Sequence, residues 1–553
     1  MRKSIVVAIA VLVALGMLAP PSFAQGPAPK VTINGLVDFA TSVYSGMVTN
    51  STGGPPPQPD AAAGSHKHGW YSRERGVFTI TGEVGKVKGV WAVELDFTNG
   101  AGNFNASSQP GSLTTVGIAH GGTSANFDLD TDVQGAVETK WLYLEAPITG
   151  PGSLLPFIPM TTIGRFGGQP ARGHDYKPGV LLSGDIPGVT LETTWAPNVK
   201  STLTFVQISE ALDRFIAPNQ KDSFALVASL EAELFKGLTI KPTYGYGFWD
   251  GGNCGTGNLG TVGYGGYNRN ANCPAVVAGT VAGPGGVGRN ITRHYLGGDL
   301  RWTMGPFSFQ PTFIYLLGKE EVPNRSGVVN DVDIRSFLLD VISGFRAGPL
   351  LVEARLAYTP GAGANNDIQN GGGGTIRQYL AINPGFVYMN GWSEITKANV
   401  DYNNEYLATR DALAIRNSPG YDKYGRIFFG LAADYSLTPQ LTFHLLTHVS
   451  WTDTAVDTKG TETNATGITP SGITTAGNPF SGGKERYLGN EWVAGLTYRF
   501  APNVTFDLAG AVLVTGDAYN YQRAAPFNCV TDGVSTCQAR NVYKLSSRIR
   551  VVF

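Results

Sequence analysis

Long stretches of the chain alternate in period two, with apolar and aromatic side chains on one face and charged or small polar side chains on the other. In 90–97, Trp91, Val93, Leu95 and Phe97 oppose Ala92, Glu94 and Asp96. In 503–514, Val504, Phe506, Leu508, Val512 and Val514 oppose Thr505, Asp507 and Ala509. Residues 307–315 and 441–451 repeat the pattern with one break each, Ile314 and Leu446. Such segments form strands with two unlike faces, so the chain is expected to be all-β. Gly at 73 of 553 residues and an 11% aromatic share fit strands joined by turns. With 15% charged residues the chain is too polar for a bundle of membrane helices, and with 42% hydrophobic residues it is too apolar for disorder.

Residues 1–24 read as a signal peptide: Arg2 and Lys3 are positive, 5–18 are apolar, and Ser22-Phe23-Ala24 precede Gln25 as a small-residue cleavage site. The apolar run is shorter than the roughly 20 residues of an anchor helix, and Pro20-Pro21 ends it. No later run of 18 apolar residues exists. Residues 25–553 are expected to form a single domain with a formal charge of -3, since 1–24 carry two positive charges and no negative ones. The 41 Lys and Arg against 42 Asp and Glu leave no basic excess for a phosphate backbone, which argues against nucleic acid as a partner.

Alternation alone does not separate a soluble β-sandwich from a membrane barrel. Loop lengths do. Very short turns at 84–89, 235–237, 304–306, 346–349, 437–439 and 501–503 alternate with long segments at about 45–74, 99–134, 249–291, 360–422, 453–485 and 517–541. Short turns on one rim and long loops on the other characterise outer-membrane barrels. In the last segment Tyr543, Leu545, Ile549, Val551 and Phe553 share one face. This segment resembles the closing strand of Gram-negative outer-membrane proteins, where a terminal Phe serves as the signal to the barrel-assembly machinery. Residues 31–39, Val-Thr-Ile-Asn-Gly-Leu-Val-Asp-Phe, are similar to the opening strand of many porins.

The resemblance to porins spans 31–553 and points to no single subfamily. It implies a transmembrane antiparallel β-barrel of about 18 strands in the outer membrane, surrounded by lipid and lipopolysaccharide, and it fits a homotrimer without fixing the oligomeric state. Residues 378–390, with part of 391–422, would add a further pair to make 20 strands. Residues 404–416 have helical composition and are a candidate constriction or lid.

A charge facing lipid costs about 2–4 kcal/mol for Arg or Lys at the midplane, so the polar faces should line a wet interior. The acids on those faces are Asp38, Glu83, Glu94, Asp96, Glu138, Glu192, Glu231, Glu233, Asp299, Asp340, Glu353, Asp434, Glu491 and Asp507. The bases are Lys140, Arg165, Lys241, Arg301, Arg355, Arg426, Arg499, Lys544, Arg548 and Arg550. Most should pair with one another and hold the wall. A near-balance of signs predicts a mild cation preference at most. A barrel of this size can hold an aqueous channel, so the expected function is passive diffusion of small hydrophilic solutes and ions. The alternatives are a substrate-selective channel resembling the alginate-export barrels, which the balanced wall disfavours, and a barrel serving as a scaffold for adhesion or for a partner protein.

The four cysteines form two local pairs, Cys254 with Cys273 and Cys529 with Cys537, as expected for loop disulfides in an exported chain. Closing the first loop would be worth about 3 kcal/mol in the chain-entropy model. Asp128, Asp130 and Asp132 alternate like the oxygen ligands of a calcium loop, but Val133 stands where Gly is needed, Thr139 where a bidentate Glu belongs, and Glu138 falls one residue early. A solvated acidic loop is the simpler reading, and no other cofactor is expected. Residues 255–260 match G-x-G-x-x-G without a helix to follow, and His66-Lys67-His68 and His444 with His448 do not make a metal site. No catalytic motif such as G-x-S-x-G or H-E-x-x-H is present, and no enzyme activity is expected.

Overall fold

The computed structural model describes residues 28–45, 68–99, 137–174, 176–177, 180–209, 223–250, 290–323, 329–361, 375–382, 392–401, 424–456, 485–519, 521–522, 536–537 and 541–553. The first nine strands are β1 (Lys30–Ser45), β2 (His68–Val84), β3 (Val87–Asn99), β4 (Val137–Thr149), β5 (Thr161–Pro170), β6 (Asp185–Ala196), β7 (Val199–Ser209), β8 (Ser223–Phe235) and β9 (Leu238–Asp250). They are followed by β10 (Asn290–Met304), β11 (Phe307–Pro323), β12 (Val329–Ala347), β13 (Leu350–Thr359), β14 (Arg426–Ser436), β15 (Leu441–Val456), β16 (Glu485–Ala501) and β17 (Val504–Thr515). A small hairpin of β18 (Tyr521–Gln522) and β19 (Thr536–Cys537) precedes β20 (Val542–Val552).

Every barrel strand pairs antiparallel with its neighbour in sequence, and β20 pairs with both β17 and β1. The result is a closed up-and-down barrel of 18 strands. The count of 18 is the expected one, and of the stretch that would have supplied a further pair the described residues 375–382 and 392–401 are not strands of the barrel. Residues 404–416, Asp128, Asp130, Asp132, Cys254, Cys273 and Cys529 lie outside the described residues, as does the side chain of Cys537.

Turns after even-numbered strands are short, apart from the longer link 150–160 between β4 and β5, and Gly305 (φ 58°) and Gly348 (φ 56°) supply the left-handed residue of two of them, each followed by Pro. The connections after odd-numbered strands are the longer set, apart from the short β11–β12 link, and place that rim on the opposite side. At the seam, the backbone of Phe553 exchanges hydrogen bonds with Gly35 (2.8 and 2.9 Å), and its ring packs 5.8 Å from Phe78. A Cβ on Gly35 would lie 2.6 Å from the Val77 carbonyl oxygen and 3.0 Å from the Phe553 ring, so glycine is what lets the seam close here.

Alternation sorts the side chains as the sequence implies. Ile33, Val37, Phe39, Leu142, Leu144, Leu230, Phe313, Leu431, Leu445, Trp492 and Ile549 are exposed on the outside. Trp195, Trp302, Phe307, Phe309, Tyr498 and Phe500 form an exposed aromatic girdle within a few residues of the short turns. The inner face carries the charged residues, together with two apolar clusters packed against chain that enters the barrel.

Candidate functional site: the barrel lumen

Asp38, Glu94, Lys140, Arg165, Glu192, Lys241, Asp299, Arg301, Arg355, Asp434, Glu491, Asp507, Arg548 and Arg550 all take the inner side of their strands, alternating with exposed apolar neighbours. Glu83, Glu231, Glu233, Glu353, Arg426, Arg499, Asp340 and Lys544 do the same. Asp96 lies on β3 and Glu138 on β4, with their side chains outside the described residues.

On the wall from β20 to β6 these groups pair across strands. Arg550 Nη2 lies 2.7 Å from Asp38 Oδ2. Glu94 accepts from Arg75 and, at 2.5 Å, from Lys140, which also reaches Asp185 at 3.3 Å. Arg165 bridges Glu145 (2.7 Å) and Glu192 (2.8 Å). A bulge in β4 makes the Lys140–Glu94 contact: Ala92 pairs with Trp141 and Val93 with Thr139, so Lys140 is the extra residue and turns inward beside Trp141. Arg75, Glu145 and Asp185 were not among the residues expected from sequence. Cross-strand partners become apparent only once register is known.

Elsewhere the inner wall is covered by three inward segments. The first is the β5–β6 connection. His174 lies buried between the Thr204 (2.7 Å) and Ser229 (3.2 Å) hydroxyls, and burial, helped by Lys241, pushes its pKa down to about 3, so it is neutral. The Tyr176 ring stacks under the Arg301 guanidinium (4.1 Å) and the Lys241 ammonium (4.6 Å). Lys177 drives its ammonium into the wall, donating to Thr312 Oγ1 (2.9 Å) and to the Gln310 and Asp340 carbonyls (both 2.7 Å), and pairing with the Asp340 carboxylate (2.9 Å). Burial lowers the Lys177 pKa, with Asp340 opposing the shift. Asp340 also receives Arg355 through two nitrogens (2.6 and 2.9 Å), which removes Arg355 from the open lumen.

The second segment, 375–382, runs alongside β12. Ile376 exchanges backbone hydrogen bonds with Asp333 and Arg335. The Tyr379 hydroxyl donates to the Val180 carbonyl, Ile382 N to the Leu181 carbonyl, and the Tyr295 hydroxyl to the Leu380 carbonyl. Val180, Leu181, Leu182, Tyr379, Leu380 and Ile382 then fill one cluster with Ile291, Ile314, Leu316 and Ile334 of the inner wall. Ile314, which broke the alternation of β11, is part of the bed on which the plug sits.

The third segment, 392–401, is seated by a fully buried carboxylate. Glu491 accepts the backbone N–H groups of Glu394 (2.8 Å), Ile395 (2.8 Å) and Thr396 (3.2 Å), the Ser393 (3.0 Å) and Thr396 (2.6 Å) hydroxyls, and His448 Nε2 (2.8 Å). Lys544, also fully buried, reaches Asp401 (2.7 Å) and Glu394 (3.3 Å). Burial pushes the Glu394 carboxyl up to about 8, against the pull of Lys544. Arg548 binds Asp507 and donates to the Asn399 carbonyl. Trp392 stacks on His444 at 3.9 Å, and a Cβ on Gly495 would come within 2.9 Å of its ring. His444 in turn bonds Asp434 (2.7 Å). His444 and His448 therefore serve separate carboxylates. Ile395 and Val400 pack on Leu446, the break in the alternation of β15.

No family model and no curated protein matches the chain. Among solved structures it is similar to OccK5 (OpdH) of Pseudomonas aeruginosa, at 9% identity and a TM-score of 0.42 over 94% of this chain and 98% of that one. OccAB4 of Acinetobacter baumannii gives 9% and 0.43 over 96% and 99%. The outer membrane protein opdK of Pseudomonas aeruginosa gives 10% and 0.40 over 94% and 99%. The architecture described above rests on the strand pairing of this chain itself.

Proposed function

We propose that this chain forms a channel in the outer membrane of a Gram-negative bacterium, through which small hydrophilic solutes and ions diffuse down their gradients. The observation that supports it is the inside-out distribution of a closed barrel: apolar and aromatic side chains face outward, and charged side chains face the lumen. Each barrel strand has at least 10 residues, enough to cross a bilayer as a tilted strand. Residues 1–24 act as the export signal, the barrel-assembly machinery inserts the mature chain, and lipopolysaccharide meets its long-loop rim. This reading requires no catalytic step and no cofactor.

The three inward segments favour selective passage over a wide general pore. Among the described residues they cover the inner wall on β7–β17 and on β20, and leave most of the ion-paired wall of β1–β6 as the side along which solutes move. That wall mixes signs, so the preference is for cations and weak. The test is single-channel recording of the refolded mature protein in a planar bilayer with a salt gradient. Discrete steps well below those of an unobstructed 18-strand bore, with a small cation-directed reversal potential, are expected. Silence after verified insertion would overturn the channel reading and favour a scaffold.

A further inference from the structure

Each buried cation that anchors an inward segment has a carboxylate: Lys177 and Arg355 share Asp340, Lys544 has Asp401, and Arg548 has Asp507. Arg293 does not. It points inward from β10 between Ile291 and Tyr295, within the apolar cluster built by the first two inward segments, and is 1% exposed. Its guanidinium carbon lies 4.6 Å from the centre of the Trp249 ring, and the Tyr295 side chain is its hydrogen-bonding neighbour. Nε and Nη1 are buried without a hydrogen-bond acceptor among the described residues, and so is Trp249 Nε1 beside them. The positions opposite Arg293 on the two adjoining strands are Gly247 and Gly318, so no side chain on that rung reaches across to it.

A guanidinium cannot shed its proton to escape burial. An isolated charge in an apolar setting is costly unless a counter-charge compensates it, and stacking on an indole face offsets a small part of that cost. We propose that Arg293 and Trp249 bind a small inorganic monovalent anion from solution, of halide size, held by the N–H groups of Nε, Nη1 and Nε1. One positive charge without a carboxylate among the described residues calls for one negative charge. The three free groups are donors alone, and the sealed position suits an ion better than a passing solute. The anion is a resident of the plug, so the site is independent of what the barrel conducts.

Bromide is the probe. Crystals of the full mature barrel grown in sodium bromide should show an anomalous peak within hydrogen-bonding reach of Arg293 Nη1 and Trp249 Nε1. In detergent, the unfolding midpoint of the wild type should rise saturably as bromide replaces gluconate at constant ionic strength. Arg293→Met should lose that response, and heavy-atom quenching of the Trp249 share of the fluorescence, taken as the difference from Trp249→Phe, should saturate over the same range. Absence of anomalous density at Arg293, or an undiminished bromide response in Arg293→Met, overturns the proposal. Should Arg293→Met fail to fold, the anomalous map and the Trp249→Phe difference decide on otherwise intact side chains.

Discussion

Replacing Glu491 by Ala should unseat residues 392–401 while leaving the barrel closed. The carboxylate satisfies six donors, of which the two hydroxyls, Ser393 and Thr396, already lie 2.5 Å from each other and can re-pair. The backbone N–H groups of Glu394, Ile395 and Thr396 have no such recourse. Each buried donor left unsatisfied costs about 1–3 kcal/mol, so the seat loses roughly 3–9 kcal/mol. At about 1.4 kcal/mol per factor of ten, even the lower bound shifts the seated-to-released ratio by around two orders of magnitude. The strand ladder from β15 to β20 owes nothing to these bonds and should survive. Expected are a larger single-channel conductance and new access of a water-soluble quencher to Trp392, with Glu491→Gln intermediate because it keeps one acceptor oxygen. Unchanged conductance and unchanged quenching in folded Glu491→Ala would refute the seat as the element that narrows the bore.

Three further outcomes follow from the same geometry. Glu394 has its pKa raised from 4.5 to about 8, so its contribution to seating is complete below about 4.5 and is lost as pH rises through about 8; conductance should climb across that alkaline step, and Glu394→Gln should remain flat through it. Lys140→Met removes a positive charge from the open wall and leaves Glu94 with Arg75 alone, and the reversal potential in a salt gradient should move toward stronger cation selectivity. Gly35→Val would force a side chain into the Val77 carbonyl and the Phe553 ring, with an overpacking cost of about 1–3 kcal/mol, read as slower appearance of the heat-modifiable folded band on electrophoresis.

The barrel was readable from sequence because its rule is local: each strand shows its two faces within a few residues, and loop lengths show its two rims. The interior was readable as a set of residues but not as a set of partners. Asp38 and Arg550 are 512 positions apart and meet only because β20 closes on β1. The inward segments escaped for a different reason. Val180-Leu181-Leu182 and Tyr379-Leu380-Ala381-Ile382 are apolar runs too short for periodicity to tell a strand from a packed connection. Their signature was on the wall instead, in Ile314 and Leu446, which placed apolar side chains where the alternation called for polar ones. The bulge at Lys140 shows in the sequence only as a change of phase, with charged residues at 138 and 140 and outward apolar ones at 142 and 144.

That apolar bed bears on any attempt to turn the protein into a sensing nanopore. Cutting away 171–184 and 375–382 would not yield the same conduit with a greater bore. It would bare Val206, Val227, Ile291, Ile314, Leu316, Ile334 and Leu338 as an oily stripe down one side of the tube. Water wets such a surface poorly, and hydrophobic constrictions close to ions by dewetting. A trimmed barrel should therefore flicker and capture greasy analytes until those positions are recoded as Ser or Thr.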